Sequence, residues 1–456
     1  MKKNLIVGAL FSLGYWEFEP FIESSMKNCS PCDLMIEVYD EMSDWTLDCI
    51  NQRGEEDNSA INIIIERVPP ELKGKYNGYI HFKMIEDFLK KHKGEYDQVL
   101  LSDMRDVIIQ GDPFKPYAHL DSYLVYATEL VSIGTEPINA SWIIRHFGKD
   151  SFEKIKNNIV ACAGTLMGTV DAIQIAVHAL NEYLVRDDFN VHGADQATLN
   201  YLVYNGKIPV KNIFESSIHA GVICTSARRE TPIVNDKVMS LDGKSIPAVC
   251  HQYDRHASGR ALAERLYRKH EVRIDKPYAD LKSRLDIADA YIGNNKLPEA
   301  LVYLTQFAEL NTSEWKTQSD RATKLITSFL SKPRASFGAL LIAQALCQIV
   351  IRLLNNQAIK TINPYILNMV YNLTTFIKQQ TGVNIKNFDT VIGAMMLQIA
   401  KLMDQNNDRK SLTVYLDMIK KLDQPLSSEY YLLSAKNNRL LGNREQAIED
   451  YKKALG

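Results

Sequence analysis

The stretch Tyr96 to Phe114, Y-D-Q-V-L-L-S-D-M-R-D-V-I-I-Q-G-D-P-F, decides how this chain reads. An apolar run, Val99-Leu100-Leu101, stops at Ser102 and meets two carboxylates, Asp103 and Asp106. A second run, Val107-Ile108-Ile109, leads into a Gly-Asp-Pro turn and Phe114. Acids placed between two buried strands are costly unless they are paired, solvated or bound to a cation. Magnesium and manganese prefer oxygen ligands and are often held by one or two carboxylates together with substrate phosphates. Side chains three apart on a straight strand face opposite ways, so Asp103 and Asp106 share one metal only if Met104-Arg105 bends. The plainer reading, an Arg105–Asp106 ion pair with Asp103 capping a turn, fits the spacing equally well.

Outward from this stretch, residues 1 to about 275 alternate short β-branched runs with amphipathic segments. Strands are expected at Leu5–Leu10, Asp33–Tyr39, Ile61–Arg67, Gln98–Ser102, Tyr123–Ala127, Ile159–Ala163 and Pro247–Cys250. Helices are expected at Trp16–Lys27, Asp44–Arg53, Tyr79–His92, Val170–Arg186 and Asp195–Tyr204. Such alternation predicts a three-layer α/β domain, whose ligands sit at the carboxyl ends of strands. Asp103 lies at such an end. Met1-Lys2-Lys3 and the apolar run Leu5 to Leu10 imitate a secretory leader. Tyr15-Trp16-Glu17 follows without a small-residue cleavage site, so a first buried strand is the expectation.

After Asp275-Lys276-Pro277 the strand signals vanish and helical periodicity continues, which predicts an all-α domain over 276–456. Tyr431, Ala435, Gly442, Ala447, Tyr451 and Ala454 follow the spacing of a tetratricopeptide helix pair. A weaker copy uses Ile287, Ala288, Tyr291 and Ala300, with Asn294-Asn295 at the turn. Between the copies the helices read as long and the repeat is lost.

With 456 residues the chain has room for two or three domains, and 55 acids against 53 basic residues point to neither nucleic acid nor a membrane surface. No further apolar run reaches the ~18 residues of a spanning helix. Seven scattered cysteines read as reduced and predict a cytoplasmic protein. Cys29-Ser-Pro-Cys32 is a lone pair without a partner at metal spacing, which fits a helix-to-strand loop better than zinc or redox chemistry. Histidines other than His251 are spread without metal spacing, and neither a phosphate-binding G-x-x-x-x-G-K-[ST] loop nor a G-x-S-x-G elbow occurs.

The Val99 to Phe114 segment resembles the metal-binding strand of GT-A-fold glycosyltransferases. It is most similar to nucleotide-sugar transferase-like proteins that carry a D-x-R-D version of the D-x-D motif. Three further blocks follow in the same order. Cys162-Ala163-Gly164-Thr165-Leu166-Met167-Gly168 resembles the strand with a small-Gly step bordering the acceptor site. Gly193-Ala194-Asp195-Gln196-Ala197-Thr198-Leu199-Asn200 resembles a D-Q-x-x-x-N helix start. Ala248-Val249-Cys250-His251-Gln252-Tyr253-Asp254-Arg255 resembles a late H-Q-Y-D block. The resemblance covers residues 1 to about 270.

It implies that Asp106, counted back from Gly111, binds a divalent metal, Mn2+ or Mg2+, bridging the donor diphosphate. His251 is then a later metal ligand. Asp103, one position early, either joins the metal or contacts the donor ribose. Arg105 would touch the diphosphate, with Arg255 and His256 as further candidates, and Gly164 would border the bound donor. Asp195 would be the general base of an inverting enzyme; in a retaining one, Asp195 or Gln196 would orient the sugar. Plain readings stand beside these: Asp195 as an N-cap of Gln196–Tyr204, and His251 as a satisfied strand-end histidine. Tyr15 and Trp16 fall where the nucleotide base would rest.

The expectation is a metal-dependent glycosyltransferase that moves a sugar from a nucleotide-diphosphate donor to an acceptor hydroxyl in polysaccharide or glycan synthesis. Its helical domain would hold a protein partner, position the acceptor or mediate self-association. Two rivals remain: a degenerate transferase domain serving a scaffold, and a nucleotidyltransferase of related architecture.

Overall fold

The computed structural model describes residues 2–306 and 407–455, apart from 11, 12, 30, 40, 41, 57–60, 270, 273, 275, 279, 423 and 424, and only scattered positions between 307 and 406. The chain divides into two compact units, Met1–Arg273 and Ile274–Gly456.

The first unit is built on a seven-stranded sheet. Its strands are β1 (Lys3–Leu10), β2 (Cys32–Val38), β3 (Ile61–Arg67), β4 (Tyr96–Ser102), β6 (Tyr123–Ser132), β7 (Ile159–Thr169) and β8 (Lys211–Ser216), in the spatial order β3-β2-β1-β4-β7-β6-β8. Only β7 runs antiparallel to its neighbours; the other pairings are parallel. Strands flanked on both sides and both faces read as unbroken apolar runs, which is why Leu5 to Leu10 imitates a leader. It is instead a strand paired on both edges. Side chains alternate across the sheet. Ile6 joins a core with Phe18, Phe21 and Ile22 of α1 (Tyr15–Asn28), whereas Leu5 and Val7 face Ile85 and Phe88 of α3 (Asn77–Lys91) and Val177 of α5 (Val170–Leu184). Helices therefore cover both faces, and the layered α/β expectation is met.

A second, three-stranded sheet carries the site. Its members are β5 (Val107–Ile109), β9 (Ile223–Thr225) and β12 (Val249–His251), with β12 central, antiparallel to β5 and parallel to β9. A short ribbon, β10 (Ile233–Val234) with β11 (Lys237–Val238), lies in the connection before β12. Helices α2 (Asp44–Glu56), α4 (Pro137–Ile155), α6 (Ala194–Tyr204) and α7 (Ala257–Tyr267) complete the unit. Sequence periodicity missed α4, α7, β8 and β9, and it ended β7 at Ala163, six residues short. The register of β7 against β6 explains that error. Tyr126 pairs with Leu166, but Thr128 pairs with Ala161, so the strand bulges through Cys162 to Thr165 and breaks the period-2 pattern.

The second unit is described as helices. Leu281–Gly293 is capped by the Asp280 carboxylate on the Ser283 N–H (2.7 Å) and is followed by Leu297–Gln306. Ile287, Ala288 and Ala300 are wholly buried in that pair, and Asn295 turns it at φ +56. Arg409–Lys420, Ser428–Leu440 and Arg444–Leu455 follow, the last two joined through Gly442 at φ +85 with Ala435 and Ala447 buried. A left-handed turn residue suits glycine because it has no Cβ to clash. The long helices expected between the two copies lie outside the described residues. Among the described residues, no helix is long and apolar enough to cross a membrane.

Glu86 ties α3 to α5 by accepting from Lys90 Nζ (2.8 Å), Asn181 Nδ2 (3.0 Å) and His178 Nδ1 (3.0 Å). Burial opposes its charge, but these bonds, Lys90's first, outweigh it and pull the carboxyl down to about 2. The folded value thus lies below the unfolded one of about 4.3. The stability from this group is present above that pH and is lost as pH falls towards 2. Glu86→Gln is expected to cost about 1 kcal/mol at pH 7, and the gap to the parent should close between about pH 5 and pH 2 in urea titrations.

Candidate metal centre

Three strand ends meet at the carboxyl edge of the large sheet. Asp103 follows β4, and its N–H donates to the Gly164 carbonyl in the β7 bulge (2.8 Å). Met104-Arg105 then bends the chain, as a shared site requires, and Asp106 enters β5. Antiparallel pairing sets Val107 opposite His251, so Asp106 and the end of β12 are brought side by side. His251 Nε2 lies 3.3 Å from Asp103 Oδ2 and 3.6 Å from Asp106 Oδ1. Ligand atoms of the three residues fall within 4.8 Å of one another, so the cluster could hold a metal ion.

Three observations test that fit. His251 is 2% exposed, yet Nε2 has no aligned hydrogen-bond partner, which is the state of a ligand atom aimed at its site. Its other nitrogen, Nδ1, contacts Cys162 Sγ (3.5 Å), which fixes the ring. The third is steric. A Cβ on Gly164 would stand 2.4 Å from His251 Cε1 and 2.5 Å from Asp103 Oδ2, so only glycine leaves the cluster its space. Two carboxylates and an imidazole are also a donor set that divalent cations accept.

Charge points the same way. Burial pushes the Asp106 carboxyl above its usual range, with Asp103 adding to the shift against the pull of His251 and Arg105. Burial likewise works against a charged His251, but Cys162 and the two carboxylates outweigh it and raise the ring well above an ordinary histidine. The cluster draws positive charge to itself, as a proton or as a cation that displaces it. Arg105 lies 3.5 Å from Asp106 and 3.6 Å from Asp254, and Arg255 lies 3.6 Å from Asp106. Asp106 thus has both partners at once: the arginine of the plainer reading and the histidine of the metal reading.

A cavity of about 650 Å³ opens over the cluster and is lined by Asp103, Arg105, Asp106, Gly164, Asp195, Gln196 and His251 of the sequence candidates, with Arg255 beside them. Asp195 is not an N-cap. Gly193 takes that position at φ +84, and Asp195 sits in the first turn of α6. There Oδ1 accepts from the Tyr76 hydroxyl (3.0 Å) and the Gln196 N–H (2.8 Å). Gln196 and Asn200, one helical turn apart, grip the bulged strand. Gln196 Oε1 accepts from the Ala163 N–H (3.2 Å), while Asn200 bonds both N–H and C=O of Ala161 (2.9 and 2.8 Å). The D-Q-x-x-x-N spacing is therefore a clamp that holds β7 in shape.

Other expectations fail. Trp16 does not line the cavity; the Arg268 guanidinium covers its ring at 3.8 Å. Tyr15 packs edge-on to Phe18 and Trp45, and His256 is engaged with the Ser226 carbonyl (2.9 Å). Cys29 and Cys32, by contrast, lie at the α1–β2 junction as the helix-to-strand reading expects, as buried thiols. Sequence reasoning passed over the far wall of the cavity. Glu129, Glu136 and Arg228 form a buried-edge triad there (3.0 and 3.3 Å), and His81 and Trp142 also line it. None of these belongs to a motif, and only the fold brings them together.

No family model matches the chain, and no curated protein matches it.

Gly164→Ala gives a direct check. His251 cannot retreat cheaply from a buried position, so Mn2+ affinity measured by calorimetry is expected to fall at least about tenfold while far-UV circular dichroism is unchanged. Parent-like Mn2+ affinity in this variant would remove the cluster as the binding site.

Proposed function

We propose that the first unit is a metal-dependent glycosyltransferase of the GT-A type, taking a sugar from a nucleoside-diphosphate donor and passing it to a hydroxyl acceptor. The observation that carries this reading is the gathering of Asp103, Asp106 and His251 under two half-exposed arginines in one cavity. Strand order supports it as well. From β1 the chain proceeds to β2 and β3 on one side, then crosses to β4 on the other, so a switch point opens outside the carboxyl ends of β1 and β4. Ala9 of β1 and Asp103 beyond β4 both line the cavity there.

Asp103, Asp106 and His251 would hold Mn2+ or Mg2+, which supplies charge neutralisation to the departing diphosphate when bound. The chain's own groups do the rest. Arg105 and Arg255 present planar guanidinium groups suited to phosphate oxygens, and each is only loosely paired, at 3.5 Å or more, with Asp106 or Asp254. Asp195 lines the cavity, held by Tyr76 and its own helix, where a carboxylate can orient hydroxyl groups of a sugar. Trp142 and the Ile138 side chain make part of the same wall apolar, which suits the faces of a pyranose ring. The helix pairs of the second unit, with their small residues at the close contacts, fit a tetratricopeptide-like surface for a protein partner or for self-association.

Calorimetry with a panel of nucleoside diphosphates, with and without Mn2+, tests the reading. Binding is expected only with the metal. Asp106→Asn is expected to lower nucleoside-diphosphate release from nucleotide sugars by at least about 10³-fold without loss of fold. An active Asp106→Asn protein would sink the metal assignment. Pyrophosphate as the released product would place the reaction among nucleotidyl transfers instead.

A further inference from the structure

Glu37 and His81 form a pair that the chemistry above leaves unused. Glu37 lies near the carboxyl end of β2, opposite Ala9 of β1, at the same edge of the sheet as Asp103. It is wholly buried. One carboxylate oxygen, Oε2, is 2.8 Å from His81 Nδ1, and the other, Oε1, is buried without a partner. A carboxylate withdrawn from water costs several kcal/mol, and one imidazole contact does not offset that well; a buried pair of this kind is poor at stabilising a fold. Its position suggests another use. His81, one turn into α3, keeps 16% of its side chain exposed, and that part lines the cavity. With Nδ1 engaged by Glu37, Nε2 is the ring nitrogen left for the cavity.

Neighbouring contacts fix where this nitrogen stands. Gly78, three residues earlier on the same face of α3, packs so closely on Tyr76 and Asp195 that a Cβ would fall 2.6 Å and 3.2 Å from their atoms. The start of α3 is thereby pinned against the start of α6, and His81 and Asp195 line the same cavity as Asp103, Asp106 and His251. Asp195 is already engaged: its Oδ1 accepts from the Tyr76 hydroxyl and the Gln196 N–H.

We propose that His81 is the general base that takes the proton from the acceptor hydroxyl, and that Glu37 is a positioning residue that holds its tautomer. This rests on the transferase reading. In the step, the acceptor O–H proton passes to His81 Nε2 as the acceptor oxygen bonds to the anomeric carbon. The bond from that carbon to the diphosphate oxygen breaks, and its electron pair leaves with the nucleoside diphosphate. The proton then passes from the ring to solvent. A single displacement of this kind inverts the anomeric configuration.

The groups facing the ring agree with the role. Burial lowers its basicity, but Glu37 from β2 outweighs this, with Asp103 beyond β4 and Asp195 of α6 adding to the rise; Tyr76 bonds Asp195, and Tyr39 lies near Glu37. The result is a histidine titrating above its ordinary value, where a base can both accept and shed a proton near neutral pH.

The test follows nucleoside-diphosphate release from a panel of nucleotide sugars in Mn2+, with water as acceptor, beside calorimetric binding of the nucleoside diphosphates. His81→Asn is expected to bind the diphosphates as the parent does, which shows it folded, and to lose about 10²–10³-fold in kcat. The parent's kcat/KM should fall below a pKa above about 6.5, and this acid limb should be missing in His81→Asn. Glu37→Gln keeps an acceptor for Nδ1 but removes the charge, so its acid limb is expected to shift to lower pH. A His81→Asn protein with parent-like turnover and limb overturns the dyad, as does release of the sugar with retained configuration. Absence of Mn2+-dependent diphosphate binding in the parent overturns the transferase reading itself, and the dyad's role with it.

Discussion

Everything in the cavity depends on how closely three chain segments approach at Gly164. Its carbonyl accepts from the Asp103 amide, and the empty space at its Cα admits the edge of His251. Here the large sheet, through β7, meets the end of β12 in the small sheet. The bulge that permits the approach would relax if left alone, since bulged residues lose ladder partners. Gln196 and Asn200 hold it by bonding the backbone of Ala163 within the bulge and of Ala161 beside it. A helix thus stands in for a strand, and the order of blocks along the chain follows from that arrangement.

The same edge concentrates carboxylates. Glu37, Asp103, Asp106, Glu129, Glu136 and Asp195 all end at or beside one cavity, against Arg105, Arg228 and Arg255. Six acids thus stand with three guanidinium groups and two histidines of raised basicity, while burial pushes the Glu37 and Asp106 carboxyls upward. On the proposed transferase reading, a diphosphate would enter such a chamber together with a divalent cation rather than bare.

Local chemistry made part of this legible in the sequence. β4 and β5 announce themselves as apolar runs, and the acids between them can only mean a turn at the sheet's edge. His251 stood out only through the resemblance of its H-Q-Y-D block, since a strand-end histidine reads equally well as a satisfied polar residue. Residues placed by tertiary contact were not visible. Glu37 and His81 are ordinary members of a strand and a helix in sequence, and only parallel stacking of β2 on β1 aims them at the cavity. Arg228 sits in a loop with no periodicity to read. Asp195 looked like a cap because acids favour helix starts, yet Gly193 already served that purpose. Trp16 looked available for stacking until Arg268, from the far end of the unit, was found to cover it.

That last contact has a consequence for the order of events during synthesis. Arg268 covers Trp16 and bonds its carbonyl, while Lys269 donates its N–H to Glu19 (3.3 Å), so the end of the first unit latches onto its first helix. β12, which supplies His251, also arrives late and inserts between β5 and β9. A nascent chain therefore carries both aspartates long before it carries the histidine that the fold sets beside them. The cluster that could hold an ion is complete only when the last strand of the unit is in place.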